Sequence, residues 1–176
     1  HAMGIDVWEA IDAASTKPFG FLRFTPGPGV GGHCLPVDPS YLSWRVQQSL
    51  GMPFRFVELA NDVNAHMPDY VVRRLTLGLN QRRRPVNGQR ILLLGMAYKR
   101  NTGDARETPS RPVAIQLLEL GAEVWVADPH VDDRALPDGV VRVDATDDVV
   151  AAADAVVLLV DHDEFDLDAI TAQASY

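Results

Sequence analysis

The sequence predicts an α/β protein, with an all-helical region followed by a parallel doubly wound sheet. Two apolar runs of strand length, residues 91–94 and 155–160, flank a third at 123–127. Helical patterns separate the three, and strand–helix–strand alternation is the signature of parallel pairing with right-handed crossovers. Before residue 90 no strand pattern occurs, and the chain alternates helical periodicity with proline and glycine.

Ile5, Val7, Trp8 and Ile11 recur at helical spacing, which predicts a short amphipathic helix over residues 4–16. Residues 17–39 hold Pro18, Pro26, Pro28, Pro36 and Pro39 among five glycines, and read as a long loop whose Phe19, Phe21, Phe24 and Leu35 let it pack. A helix is expected from Tyr41 to about Leu50, capped by Asp38 or Ser40 and broken by Gly51-Met52-Pro53. A long helix follows over residues 56–83, apolar on more than one face as in a dimer interface, with Pro68 kinking or dividing it. Arg82-Arg83-Arg84 suit its C-terminal end, and the domain boundary is placed at residues 86–87. In the second half, residues 98–107 read as a polar loop. Helices are expected over 110–120, ended by Gly121, over 147–153, capped by Thr146, and over 163–173. Another strand is due where the chain stops at Tyr176, so the sheet reads as truncated.

With a net charge of −8, a broad nucleic-acid surface is not expected, although a local basic pocket for a small anion is compatible. No apolar run approaches the roughly 18 residues of a membrane helix, and no signal peptide is visible. One cysteine excludes a disulfide framework or a multi-cysteine metal site, which fits a cytoplasmic setting. His130 and His162 lack ligand spacing, so no metal is assigned. His1-Ala2-Met3 reads as a scar of tag removal, which leaves residues 4–86 as the helical domain and 87–176 as the sheet domain.

Gly27-Pro28-Gly29-Val30-Gly31-Gly32 matches G-x-G-x-x-G letter by letter. A dinucleotide fingerprint needs a strand before it and a helix after it, and the flanking prolines argue against both. The second half is Rossmann-like, with Gly95 after the first strand and Asp128 after the second. Its turn continues Met96-Ala97-Tyr98-Lys99, without the glycines of a pyrophosphate turn, which suggests a nucleotide held by side chains, notably Lys99.

Cys34 can be read as a buried small hydrophobe or as a reactive thiol. Glycines precede it, a helix start lies just downstream, and Asp38 follows four residues on. Backbone N–H groups can then approach a ligand, and the helix end can favour a thiolate.

The segment Pro26-Gly27-Pro28-Gly29-Val30-Gly31-Gly32-His33-Cys34-Leu35-Pro36-Val37-Asp38-Pro39 resembles the catalytic-cysteine loop of the UDP-sugar and GDP-sugar dehydrogenases. Asn61-Asp62-Val63-Asn64, the stretch from Gly95 to Ser110, Asp128-Pro129 and Asp161-His162-Asp163-Glu164-Phe165 agree with it. The wording is most like the branch acting on UDP-N-acetylhexosamines. The resemblance implies oxidation of a UDP-sugar at C6, from alcohol to carboxylate, in two NAD-dependent steps. Cys34 would add to the aldehyde to give a thiohemiacetal and then a thioester, and Asp38 would assist the water or proton steps. By the same resemblance Phe24, Thr25, Gly29, Gly31, Tyr98, Lys99 and Asn64 contact the UDP-sugar, and Arg106 the cofactor.

Plainer readings stand beside these. Asn64 can bond across helices, Lys99 and Arg106 can be solvated loop charges, and Asp128 can cap a strand end. His33 reads as a packing histidine. The resemblance also implies an N-terminal NAD-binding domain that no segment here matches, so the chain is expected to be an inactive fragment. Its family role then reduces to binding UDP weakly and dimerising through residues 56–83. The alternative is a non-catalytic nucleotide-binding or dimerisation module.

Overall fold

The computed structural model describes residues 3–176, so His1 and Ala2 of the expected scar lie outside the described residues. Seven α-helices and four strands run in the order α1 (Val7–Ser15), α2 (Cys34–Leu50), α3 (Arg55–Ala65), α4 (Met67–Gln81), β1 (Arg90–Leu94), α5 (Ser110–Glu119), β2 (Glu123–Ala127), β3 (Val141–Arg142), α6 (Asp147–Ala152), β4 (Ala155–Leu158) and α7 (Leu167–Gln173).

All strand pairs are parallel, in the order β3-β2-β1-β4. Successive residues of a strand face opposite sides, and β1 shows the consequence. Ile91 and Leu93 join a core with Val113, Ala114 and Leu117 of α5, whereas Leu92 and Leu94 join another with Val150, Ile170 and Ala153. The sheet is thus covered on both faces, which is why its central strand is an unbroken apolar run. Gly95 ends β1 at φ 90°, where an added Cβ would lie 2.5 Å from Val160 Cβ. Only glycine lets the ends of β1 and β4 come that close.

Four sequence expectations are refined or changed. The first concerns the helix expected from Tyr41, which begins at Cys34 and crosses both Pro36 and Pro39. Pro36 sits in the first turn, where its missing N–H has no partner to lose, so only Pro39 removes a ladder bond. The prolines therefore do not block a helix after Gly27–Gly32. What still removes the dinucleotide fingerprint is the absence of a strand before it, since residues 21–30 carry none.

Next, residues 56–83 are two helices, divided at His66 with Pro68 in the first turn of α4, as one of the two outcomes expected of that proline. The halves differ. Val72, Leu75 and Leu79 of α4 are buried in the same core as Ile91, Val113 and Leu117, so α4 packs on the sheet domain. On α3, Phe56, Leu59 and Val63 are exposed.

Third, a short strand, β3, was not foreseen: two residues give no readable alternation, and pairing with Trp125 and Val126 of β2 defines it. β4 is also shorter than expected, ending at Leu158. Last, helix α7 starts at Leu167 instead of 163, with the Asp166 carboxylate accepting from the Ala169 N–H. Tyr176 lies beside β4, its carbonyl accepting from the Val156 N–H at 2.7 Å, and its ring stacks under the Arg82 guanidinium against Gly78.

Candidate functional site

The glycine loop before Cys34 is seated on the loop that follows β1. Gly31 and Gly32 are buried, and a Cβ on Gly31 would fall 2.5 Å from the Glu107 carbonyl oxygen. Gly32, at φ 92°, has the Tyr98 ring 2.8 Å from where its Cβ would be, and its N–H donates to the Arg106 carbonyl at 3.2 Å. Glu107 itself has φ 48°, a left-handed conformation uncommon outside glycine and asparagine. The docking therefore needs the absence of two side chains on one loop and a strained residue on the other.

Asn64, on α3, fastens the same loop from the opposite side. Its Oδ1 accepts from the Val30 N–H at 2.6 Å, and its Nδ2 donates to the Val30 carbonyl at 2.9 Å. The bond across helices expected as the plain reading of Asn64 is not what forms: both ends of its amide bind the backbone of Val30 in the cysteine loop.

Cys34 is exposed and unpaired at the first residue of α2. Because α2 starts there and not at Tyr41, Asp38 stands one turn along the same helix. Residues four apart in a helix share a face, so Cys34 and Asp38 lie on one face of α2, and both are exposed. Arg106 is raised above its ordinary range first by its hydrogen bond to Asp104 and then by that carboxylate's charge, with Tyr98 and Cys34 as smaller contributors. Cys34, Tyr98 and Arg106 thus share one electrostatic neighbourhood.

Arg106 is not free. Nε and Nη2 both donate to the Asp104 carboxylate, at 3.0 and 2.6 Å. That pairing brings Asp104 down to about 2, with the Arg106 side-chain hydrogen bond as the largest cause. Lys99 is exposed, its Nζ 5.3 Å from the centroid of the half-buried Tyr98 ring. Phe24 and Thr25 are exposed, and Phe24 lines an apolar groove with Leu35, Phe56, Leu59 and Val63. The structure therefore gathers Gly29, Gly31, Cys34, Asn64, Tyr98 and Arg106, and turns Phe24 toward α3.

Beneath this surface, Asp128 is 3% exposed and His162 is 2% exposed. The Asp128 carboxylate accepts from the N–H groups of Met96, Ala97, His130 and Val131, at 2.6 to 3.0 Å. Burial pushes this carboxyl up, but the four backbone donors outweigh it and hold it below the usual range. Sequence reasoning offered turn-capping as one reading of Asp128, and this is its role here. His162, His130 and Glu164 bring ligand atoms within 4.8 Å of one another, a cluster that spacing along the chain did not reveal. However, Nδ1 of His162 accepts from the Asn101 N–H at 3.0 Å and Nε2 lies 3.1 Å from Asp128, so both nitrogens are already engaged by the protein.

The described residues do not form a cradle for NAD. No strand precedes Gly27–Gly32, and the N–H groups after β1 are taken by Asp128. No helix among the described residues is long and apolar enough to cross a membrane.

Fold and site together define an α/β domain of Rossmann-like topology, carrying a helical region with an exposed cysteine at the junction. The chain belongs to the UDP-glucose/GDP-mannose dehydrogenase family: the model of its central domain matches residues 1–66, and that of its UDP binding domain matches residues 92–174. It is 35% identical over 163 residues to a UDP-N-acetyl-D-mannosamine dehydrogenase of Methanococcus maripaludis, a match spanning 93% of this chain and 35% of the relative. It is 37% identical over 167 residues to a UDP-N-acetyl-D-glucosamine 6-dehydrogenase of Pseudomonas aeruginosa, covering 94% of this chain and 38% of the relative. Among solved structures, the UDP-D-ManNAc dehydrogenase of Pyrococcus horikoshii superposes with a TM-score of 0.81 at 30% identity, over 100% of this chain and 40% of that one. The NDP-N-acetyl-D-galactosaminuronic acid dehydrogenase of Methanosarcina mazei Go1 gives a TM-score of 0.83 at 32% identity, over 99% and 39%. The chain therefore spans little more than a third of the length of such relatives.

Proposed function

We propose that this chain is the thiol-bearing and UDP-sugar-binding portion of a nucleotide-sugar 6-dehydrogenase that uses NAD to oxidise C6 of a UDP-sugar to the carboxylate. The observation that carries the reading is the seating of Gly31–Gly32 on Tyr98 and Glu107, which brings an exposed thiol to the edge of the family's UDP-binding domain.

In this reading Lys99 supplies a point charge to the diphosphate and Tyr98 a face for the uridine or sugar. Cys34 sulfur attacks the C6 aldehyde, forming the C–S bond as the carbonyl oxygen takes up a proton. The thiohemiacetal carbon would lose its hydride to NAD, the oxidant of this reading, as its hydroxyl gives up a proton, leaving a thioester. Asp38, one helical turn away, would hold the water that releases the carboxylate and restores the thiol. Gly29 and Gly31 keep the loop backbone close to the sugar, and Phe24 and Thr25 border it. Arg106 acts beside the thiol as a cation fixed by Asp104, which is the place where a cofactor contact is expected. Apolar Phe56, Leu59 and Val63 of α3 form the homodimer contact, a narrower surface than residues 56–83 as a whole. The relatives acting on N-acetylated hexosamines favour a UDP-N-acetylhexosamine as the sugar.

Thiol labelling tests the central claim. Cys34 should react with iodoacetamide faster than free cysteine, and millimolar UDP-N-acetylhexosamine should slow it. A rate equal to that of the denatured chain, unaffected by the sugar nucleotide, would remove the nucleophile from the reading. Titration calorimetry with UDP tests the pocket: no binding at millimolar UDP sinks it, and unchanged affinity in Lys99→Ala removes that side chain's role. The chain alone should reduce no NAD with any UDP-sugar, and measurable reduction would overturn that part.

A further inference from the structure

In a dinucleotide-binding turn, the N–H groups that follow the first strand point at pyrophosphate. Here the corresponding donors, on Met96 and Ala97, both point at one carboxylate oxygen of Asp128, at 2.6 and 3.0 Å. The other oxygen takes the N–H groups of His130 and Val131, at 2.8 and 2.9 Å. Four backbone donors thus converge on one buried anion that belongs to the protein. His162 completes the arrangement. A backbone N–H can only donate, so the bond from Asn101 makes Nδ1 an acceptor and puts the proton on Nε2, which donates to Asp128. The imidazole therefore bridges the strand-end carboxylate to the far end of the Met96–Asn101 turn. Asp163 ties that end again, accepting from Arg100 and from Asn101 Nδ2. Tyr98 and Lys99 lie between the two anchor points.

We infer that Asp128 and His162 are positioning residues: the carboxylate fills the strand-end anion cradle in place of a phosphate, and the imidazole fixes the turn so that Tyr98 and Lys99 stand outside it, facing the ligand. This rests on the UDP-sugar reading of the loop, and it explains why a Rossmann-like sheet without a glycine-rich turn binds a nucleotide by side chains. A dinucleotide pyrophosphate has no donors left to meet at the end of β1.

Two variants of His162 separate this role from simple filling of space. His162→Phe keeps the bulk and loses both hydrogen bonds. In His162→Gln, the side-chain amide nitrogen can stand in for Nε2 and keep donating to Asp128. Hydrogen exchange of the 176-residue chain reads the turn directly, and calorimetry with UDP reads its consequence. In His162→Phe, amides 96–104 should exchange at least about tenfold faster, the size expected when a buried charged acceptor loses a partner, while amides 91–94 and 124–126 keep their protection. UDP affinity should fall by about the same factor, and His162→Gln should recover most of both. Unchanged exchange over 96–104 in His162→Phe overturns the inference. So does a glutamine variant no better than phenylalanine, or a loosened turn with undiminished UDP affinity. If the wild-type chain does not bind UDP, the functional reading fails, and the exchange experiment alone decides whether Asp128 and His162 hold the turn.

Discussion

Asn64 holds Val30 by both edges of its peptide, accepting the N–H at 2.6 Å and donating to the carbonyl at 2.9 Å across 34 residues of sequence. A side-chain amide is the one group that can mimic a strand partner in this way, so its effect is to fix the loop four residues before Cys34. Asn64→Ala should lower stability by about 1–2 kcal/mol in urea titration, because two hydrogen bonds disappear at a partly exposed site. Asn64→Asp keeps the acceptor and loses the donor, and should fall between. Hydrogen exchange at Val30 should rise in the same order. An alanine variant with wild-type exchange there would mean that the loop is held by its glycine contacts alone.

The glycine contacts give a graded test of their own. Gly32→Ala meets the Tyr98 ring at 2.8 Å and adopts an unfavourable φ of 92°. It should destabilise by about 1–3 kcal/mol and weaken UDP binding by moving Tyr98. Gly27→Ala, with nothing within 4 Å of its added Cβ, should change neither. Equal effects of the two substitutions, measured by thermal unfolding and calorimetry, would contradict the docking of the two loops.

Acid should loosen the same junction. The carboxyl of Asp104 is held at about 2 by Arg106, below its value of about 3.9 in an unfolded chain. A lowered folded-state value stabilises the protein above the unfolded value and stops doing so as pH falls through the folded one. Urea midpoints of wild type and Asp104→Asn, compared between pH 6 and pH 2, should converge toward the acid end. A constant gap across that window would show that the ion pair with Arg106 does not act on stability.

The two halves of the expected long helix should answer differently to substitution. Leu79 of α4 is fully buried in the sheet's core, and Leu79→Ala should lower the unfolding free energy by about 2–5 kcal/mol. Phe56 of α3 is 79% exposed, and Phe56→Ser should change it by no more than about 0.5 kcal/mol. The same Phe56→Ser should weaken self-association in sedimentation if α3 is the dimer contact. A wild-type chain that sediments as a monomer at high micromolar concentration would rule the contact out.

Much of this was legible in the residues. The apolar runs gave the three main strands, since a strand covered on both faces must be apolar throughout. Pro68 marked where the long helix kinks or divides, and the structure divides it into α3 and α4. The loop from Pro26 to Pro39 was readable by its resemblance to a cysteine loop, and Asp128 by its place at a strand end. The start of α2 is not legible from its prolines, since the first turn of a helix tolerates Pro36 and the helix continues through Pro39. His162 has no signal near it in sequence that announces Asp128, 34 residues away, as its counterpart in space, whereas Asp104 stands only two residues from Arg106 and their pairing depends on the turn between them.

The sequence by itself determined where the main helices and the three longer strands lie, where the chain needs glycine, and that one thiol stands in a glycine-rich loop. Those are local matters: periodicity, backbone freedom and the missing N–H of proline act within a few residues. Only the tertiary structure decided that α4 is buried against α5 while α3 stays exposed, since an amphipathic pattern states that a face is apolar and not what covers it. It alone joined Asn64 to Val30, Gly32 to Tyr98 and His162 to Asp128, because hydrogen bonds and steric fits between distant residues depend on distances that the order of residues does not contain.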